Sequence, residues 1–187
     1  MQGIAIVEAD LGDPQHQDAI VHLIDMYARD PMGGGKALPE AVRAALIPGL
    51  QHHPTTVVFL AWHSATPVGI AVCFVGFSTF LARPLINIHD LAVIPAYRRH
   101  GVGRLLLERV AAKGKALGCC KLTLEVRRGP GRQPLGRAAL ARGRSTLLPR
   151  FWPIGGHDSP QIPGTVDQQV RTRDIAGWLG EQIIQRS

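Results

Sequence analysis

The spacing of apolar positions changes several times along the chain, and each change marks an element. Ile4 and Ile6 alternate with polar or small neighbours up to Glu8 and predict a short strand. Asp13-Pro14 then offers a cap and a first-turn proline. Ile20, Leu23, Ile24 and Tyr27 follow at helical spacing, and Gly33-Gly34-Gly35 ends that helix as a flexible joint. Leu38-Pro39-Glu40 opens a second helix, with Val42, Ala45 and Leu46 inward and Pro48-Gly49 as its stop. From Thr56 the residues become β-branched and aromatic. Thr56 to Trp62 and Val68 to Phe77 predict a hairpin across Ser64–Pro67, and Leu85 to Val93 a further strand. A helix is expected over Val102–Leu117, with Leu105, Leu106, Val110 and Leu117 as its apolar side and Gly118 just past its end. Cys120 to Val126 closes the series as a strand. Helices, an antiparallel hairpin, then strand–helix–strand define an α/β chain built on one mixed sheet.

At Arg127 the pattern is lost. Residues 127–164 hold seven Arg, seven Gly and six Pro with a single acid, Asp158, and no strand or helix period survives there. Ile175, Trp178, Leu179 and Ile183 recover helical spacing after Asp174 and predict a terminal helix over 174–186. The chain therefore divides into a core, 1–126, and an atypical segment, 127–187. The break at 126/127 has two readings, natural divergence or a shifted reading frame. The second is the expectation, because Arg-, Gly- and Pro-rich sequence without Lys is what GC-rich codons yield out of frame.

Composition narrows the function classes. A chain of 187 residues, 45% apolar and 19% charged, suits one globular domain. The net charge of +7 is carried almost wholly by the tail, where ten Arg face four acids, whereas residues 1–126 hold 11 basic against 10 acidic groups. The tail lacks aromatics interleaved with its arginines except Phe151-Trp152, so no nucleic-acid partner is expected. The longest apolar run, Val68–Phe77, is too short to span a bilayer and no signal segment is visible, so a cytoplasmic protein without a membrane partner is expected. Cys73, Cys119 and Cys120 form no CxxC, and the histidines, His52-His53 included, lack ligand spacing, so no metal is expected. Gly33-Gly34-Gly35-Lys36 lacks the spacing of a phosphate loop, and Ser78 lacks the second glycine of a nucleophile elbow.

The informative segment is Arg98-Arg99-His100-Gly101-Val102-Gly103, placed between a predicted strand and a predicted helix. Glycines there let the chain turn tightly and expose successive amides, and the helix start adds more N–H groups at the positive end of its dipole. A pyrophosphate could lie on those amides, with Arg98, Arg99 or Arg104 adding charge at the rim. Taken alone, a short Arg/Gly turn before a helix is more often a plain connection than an anion site.

Arg98-x-x-Gly101-x-Gly103 resembles the signature turn of the GCN5-related N-acetyltransferases (GNAT), [Arg/Gln]-x-x-Gly-x-[Gly/Ala]. The run from Asp90 to Arg98 (DLAVIPAYR) resembles that family's central strand, and the following helix and strand match in length and pattern. The stretch from Phe77-Ser78-Thr79-Phe80 to Leu91 looks most like the branch acting on diamines, polyamines and lysine-like amines. The resemblance covers residues 3–126 and implies an acyl-CoA N-acyltransferase fold that is atypical after 126. It implies acetyl-CoA as co-substrate, with its pyrophosphate on the amides of Arg99, His100, Gly101, Val102, Gly103 and Arg104 beside Arg98. The pantetheine arm would lie along Leu91, Ala92 and Val93. A small-molecule primary amine would attack the thioester directly, with His89 and Asp90 as candidate catalytic residues. Strand alternation would send those two to opposite faces, so that only one meets the substrate.

The resemblance ends after Val126. Family members continue with Asn-x-x-Ala, a helix bearing Leu-Tyr, and Gly-Phe, whereas no Tyr follows Tyr97 here. That Tyr commonly protonates the departing thiolate, so a catalytically weak or inactive acyl-CoA-binding protein is the alternative. Loss of the usual last elements would leave an unpaired sheet edge, a route to a homodimer with exchange of the C-terminal part.

Overall fold

A computed structural model of the chain describes residues 3–31, 33–126 and 148–153. The elements are β1 (Ile4–Glu8), α1 (Pro14–Arg29), α2 (Glu40–His52), β2 (Thr56–His63), β3 (Thr66–Ser78), β4 (Arg83–Val93), a 3-10 turn (Pro95–Tyr97), α3 (Val102–Ala116), β5 (Lys121–Val126) and β6 (Leu148–Pro153). The strands form one six-stranded sheet in chain order. Neighbours are antiparallel except β4 and β5, which run parallel because α3 carries the chain back between them.

Two cores lie on opposite faces of this sheet. Ala19, Ile20 and Leu23 of α1 and Ile47 and Leu50 of α2 cover Val58, Leu60, Trp62, Ile70 and Val72. On the other face Val102, Leu106, Leu107 and Val110 of α3 cover Phe59, Ala61, Ala71, Cys73, Ile86, Ile88 and Leu122. Strand alternation dictates the division, since even positions of β2 meet one layer and odd positions the other. Helix α3 reaches the sheet closely at Gly69, where a Cβ would stand 3.2 Å from both the Ala92 carbonyl oxygen and Val102 Cγ1.

The caps follow from sequence. Asp13 Oδ1 accepts the Gln15 amide at 2.8 Å at the start of α1. At the end of α3, Gly118 has φ +67°, its N–H goes to Lys115 O, and the Cys119 N–H goes to Gly114 O. That is a Schellman termination.

Five expectations are corrected. Helix α2 runs through Pro48 to His52 and buries Ile47 and Leu50, while Val42 and Ala45, expected inward, are exposed. Proline removes one intrahelical donor, and apolar burial of Leu50 outweighs that loss. On α3 the buried stripe is Val102, Leu106, Leu107, Val110 and Gly114, and Leu105 and Leu117 point outward. The three glycines after α1 are no flexible joint, because the amides of Gly33, Gly34 and Gly35 all donate to the Asp30 carbonyl at 2.8–3.1 Å. Within the Arg/Gly/Pro-rich stretch, Leu148–Pro153 forms strand β6. It pairs antiparallel with all of β5, Lys121 opposite Pro153 through Val126 opposite Leu148, so the edge of β5 expected to stay bare is covered. The helix expected over 174–186 lies outside the described residues.

Candidate functional site

The sheet forks between β4 and β5. Pairing holds at three positions, Ile86–Leu122, Asn87–Thr123 and Ile88–Leu124, and beyond Ile88 β4 continues to Val93 without β5. Asn87 Nδ2 donates to Thr123 Oγ1 at 2.9 Å, one residue before the fork.

A β-bulge sits where the strands part. On the other side of β4, Cys73 is opposite Ile88 and Val72 is opposite Asp90, so His89 is the additional residue. A bulge bends and twists its strand and breaks strict alternation. Asp90 therefore shares the face of Val72, which packs under α1 and α2. The His89 ring stands 5.8 Å from that of Phe74, a residue packed on the same core, and Phe74 in turn lies 4.7 Å from His53. His89 and Asp90 thus lie on one face of the sheet, not on opposite faces as alternation predicts. His89 is exposed and Asp90 half-buried. Burial raises the Asp90 carboxyl above its ordinary value, and the neighbouring His89 partly opposes this. The sequence carries the signal for the bulge: Ile86, Ile88, Leu91 and Val93 all pack on the α3 side, and the step from 88 to 91 is one residue too long for a regular strand.

Past Val93 the chain is braced from three sides. The Ile94 amide donates to Val68 O at 3.0 Å. Tyr97 Oη is 3.0 Å from His63 Nδ1. Arg98 folds back, its Nε donating to Val93 O at 2.9 Å and its Nη2 to Asp30 Oδ2 at 2.6 Å. The turn that follows uses left-handed backbone at Arg99 (φ +64°) and Gly101 (φ +82°). Gly101 caps α3 without a side chain to offer its amides, so among the described residues the first donors of the helix, Val102, Gly103 and Arg104, have neither an intrahelical nor a side-chain acceptor.

This places the sequence-derived candidates. The amides from Arg99 to Arg104 lie at the start of α3, while Leu91, Ala92 and Val93 belong to the length of β4 that pairs with β3 but not with β5. The rim arginines are largely engaged: Arg98 is held by Asp30, and Arg104 Nε lies 2.7 Å from Glu108 Oε1. Arg99 is exposed on the turn. Asp30, Asn87, His63 and Tyr97 were not singled out by sequence. A slot between parting strands, ending at a helix start rich in open amides, fits an extended thioester arm with a diphosphate at its end.

Residues 21–132, more than half the chain, match the family described as Acetyltransferase (GNAT) family. The chain belongs to the GNAT acetyltransferases. No curated protein matches it in sequence. Among solved structures it is similar to an aminoglycoside acetyltransferase from an uncultured soil metagenomic sample, in complex with sisomicin (TM-score 0.57, 16% identity, 75% of this chain and 97% of that one). It is similar also to a ribosomal-protein-alanine N-acetyltransferase from Brucella melitensis biovar Abortus 2308 (TM-score 0.58, 15% identity, 75% and 99%). A third is an integron cassette protein from the mobile metagenome of Cole Harbour Salt Marsh (TM-score 0.57, 24% identity, 73% and 91%). At these identities the likeness is one of fold. Among the described residues no group of His, Cys, Asp or Glu could hold a metal ion, and no helix is long and apolar enough to cross a membrane.

Proposed function

We propose that this acetyltransferase moves the acetyl group of acetyl-CoA onto a primary amine of a small molecule, of the diamine, polyamine or lysine-like class. The observation that carries the reading is the fork: β4 leaves β5 at the His89 bulge, and its open length runs up to an α3 start whose amides lack side-chain caps. The amides of His100, Gly101, Val102 and Gly103 would hold the diphosphate, with Arg99 adjacent, and the backbone of Leu91 and the Val93 amide, which face away from β3, would take the pantetheine arm. The Val93 carbonyl is already occupied by Arg98. The thioester supplies an activated acyl group.

An alkylammonium has a pKa near about 10, so the acceptor must shed a proton before it can attack. Asp90 and His89 stand together at the mouth of the fork. Asp90, with its carboxyl raised by burial, suits the taking of that proton, and His89 can pass it to solvent. The amine class rests on the resemblance of the stretch from Phe77 to Leu91.

The test is calorimetry with CoA, followed by thiol release from acetyl-CoA with diamines, lysine analogues and aminoglycosides. Binding in the micromolar range, weakened at least tenfold by Gly101→Val, is expected, because Gly101 needs a left-handed φ that a branched residue resists. Turnover confined to aminoglycosides would overturn the amine class. A well-folded chain that gives no heat with CoA would overturn the reading itself.

A further inference from the structure

We propose that Asp30 is a positioning residue of the CoA site, acting through Arg98; this rests on the reading above. Arg98 opens the glycine turn, yet its side chain points away from it. Its Nε closes a short loop onto Val93, the last residue of β4, and its Nη2 reaches Asp30 at the end of α1, 68 residues away in sequence. One guanidinium therefore fixes both ends of the connector 93–98. The two are half-buried, with Asp30 showing 13% of its side-chain surface and Arg98 36%.

Asp30 is itself a fixed point. Its amide donates to Tyr27 O at 3.0 Å as the cap of α1, and its carbonyl accepts from Gly33, Gly34 and Gly35. From that fixed backbone the carboxylate meets Arg98 in a charge-assisted bond of 2.6 Å. The turn downstream holds two residues, Arg99 and Gly101, in left-handed backbone. Such a segment relaxes into other conformers unless its surroundings hold it. Bracing at Arg98 keeps the amides from Arg99 to Arg104 convergent before a ligand arrives, so less ordering remains to be done on binding. Asp30 would act through Arg98, without itself touching the diphosphate or the acyl group.

The experiment compares the full-length chain with Asp30→Asn, Arg98→Gln and the double variant, measuring the CoA dissociation constant by calorimetry, the melting temperature without ligand, and the KM for acetyl-CoA against kcat. Asp30→Asn is expected to weaken CoA binding about tenfold and to raise KM similarly, with kcat within about twofold. In the double variant the two losses should not add, because either change breaks the same link. Asp30→Glu should recover part of the affinity. Affinity within twofold of the parent chain despite a lower melting temperature would overturn the proposal, reducing Asp30 to a folding role. Tighter binding in Asp30→Asn would also overturn it, showing that Asp30 restrains an arginine otherwise free to take a phosphate. If the parent chain binds no CoA, the functional reading fails instead. If it binds and Asp30→Asn leaves affinity unchanged, only this proposal fails.

Discussion

Asn87 Nδ2 and Thr123 Oγ1 meet at 2.9 Å across the middle of the three rungs that join β4 to β5. The pair lies one residue ahead of the fork and pins the strands where their separation starts. Thr123 is buried, so removing its partner leaves a hydroxyl without a bond. Asn87→Leu should cost about 1–3 kcal/mol in denaturant unfolding. Adding Thr123→Val should return much of that loss, since two apolar groups have no bond to miss. If the double variant is as unstable as the sum of the singles, the bond does not pin the fork.

Asp90 gives a prediction with a defined sign. Its carboxyl is raised in the folded chain, so the folded state holds the proton more tightly than the unfolded one. Ionised Asp90 therefore costs stability, a cost that sets in as pH rises above the ordinary value of 3.8 and is complete above the raised one. Asp90→Asn should melt higher than the parent at neutral pH and gain nothing in acid, below the ordinary value. Acetyl transfer should fall at least about tenfold in the same variant. A variant equally stable at both pH values, or fully active, would contradict the role given to this carboxylate.

The buried thiols should be inert. Burial, with Asp90 nearby, pushes Cys73 up to about 12, and burial raises Cys119 as well. At neutral pH an alkylating reagent should leave both intact in the native chain and modify both in guanidinium. Native labelling of Cys73 at the unfolded rate would show that β3 opens.

Two glycines should respond oppositely to alanine. At Gly33 a Cβ would stand 1.9 Å from the Tyr27 carbonyl oxygen, and backbone cannot yield there cheaply. Gly33→Ala should lose more than about 2 kcal/mol. Gly49, inside α2, meets nothing within 4 Å, and Gly49→Ala should gain about 0.5–1 kcal/mol from helix propensity. Equal effects, read by thermal melting, would refute the contrast.

What the sequence discloses here divides by range. Helix α3, its Gly118 termination and the Gly101 turn are legible because each rests on residues within a few positions of one another. Strands β2 to β5 are legible from β-branched runs. The path of α2 through Pro48 is not, because a local rule about proline competes with burial of Leu50 supplied by distant strands. Strand β6 escapes because neither period nor propensity marks it, and pairing with β5 determines it. Among the candidate-site residues, the positions of the glycine turn and of β4 in the fold are readable from motif and order. Asp30 carries no local mark, since its meaning arises only when Arg98 folds against it. The bulge was inscribed in the spacing of Ile88 and Leu91, but a rule of strict alternation passes over it.

The extra residue at position 89 has a corollary. Deleting His89 should restore an alternating ladder and let β4 pair with Glu125 and Val126, the last two residues of β5, narrowing the fork. Such a shortened chain should resist heat better and accept no thioester. The fork thus turns on one residue, and a single in-frame deletion is enough to probe it.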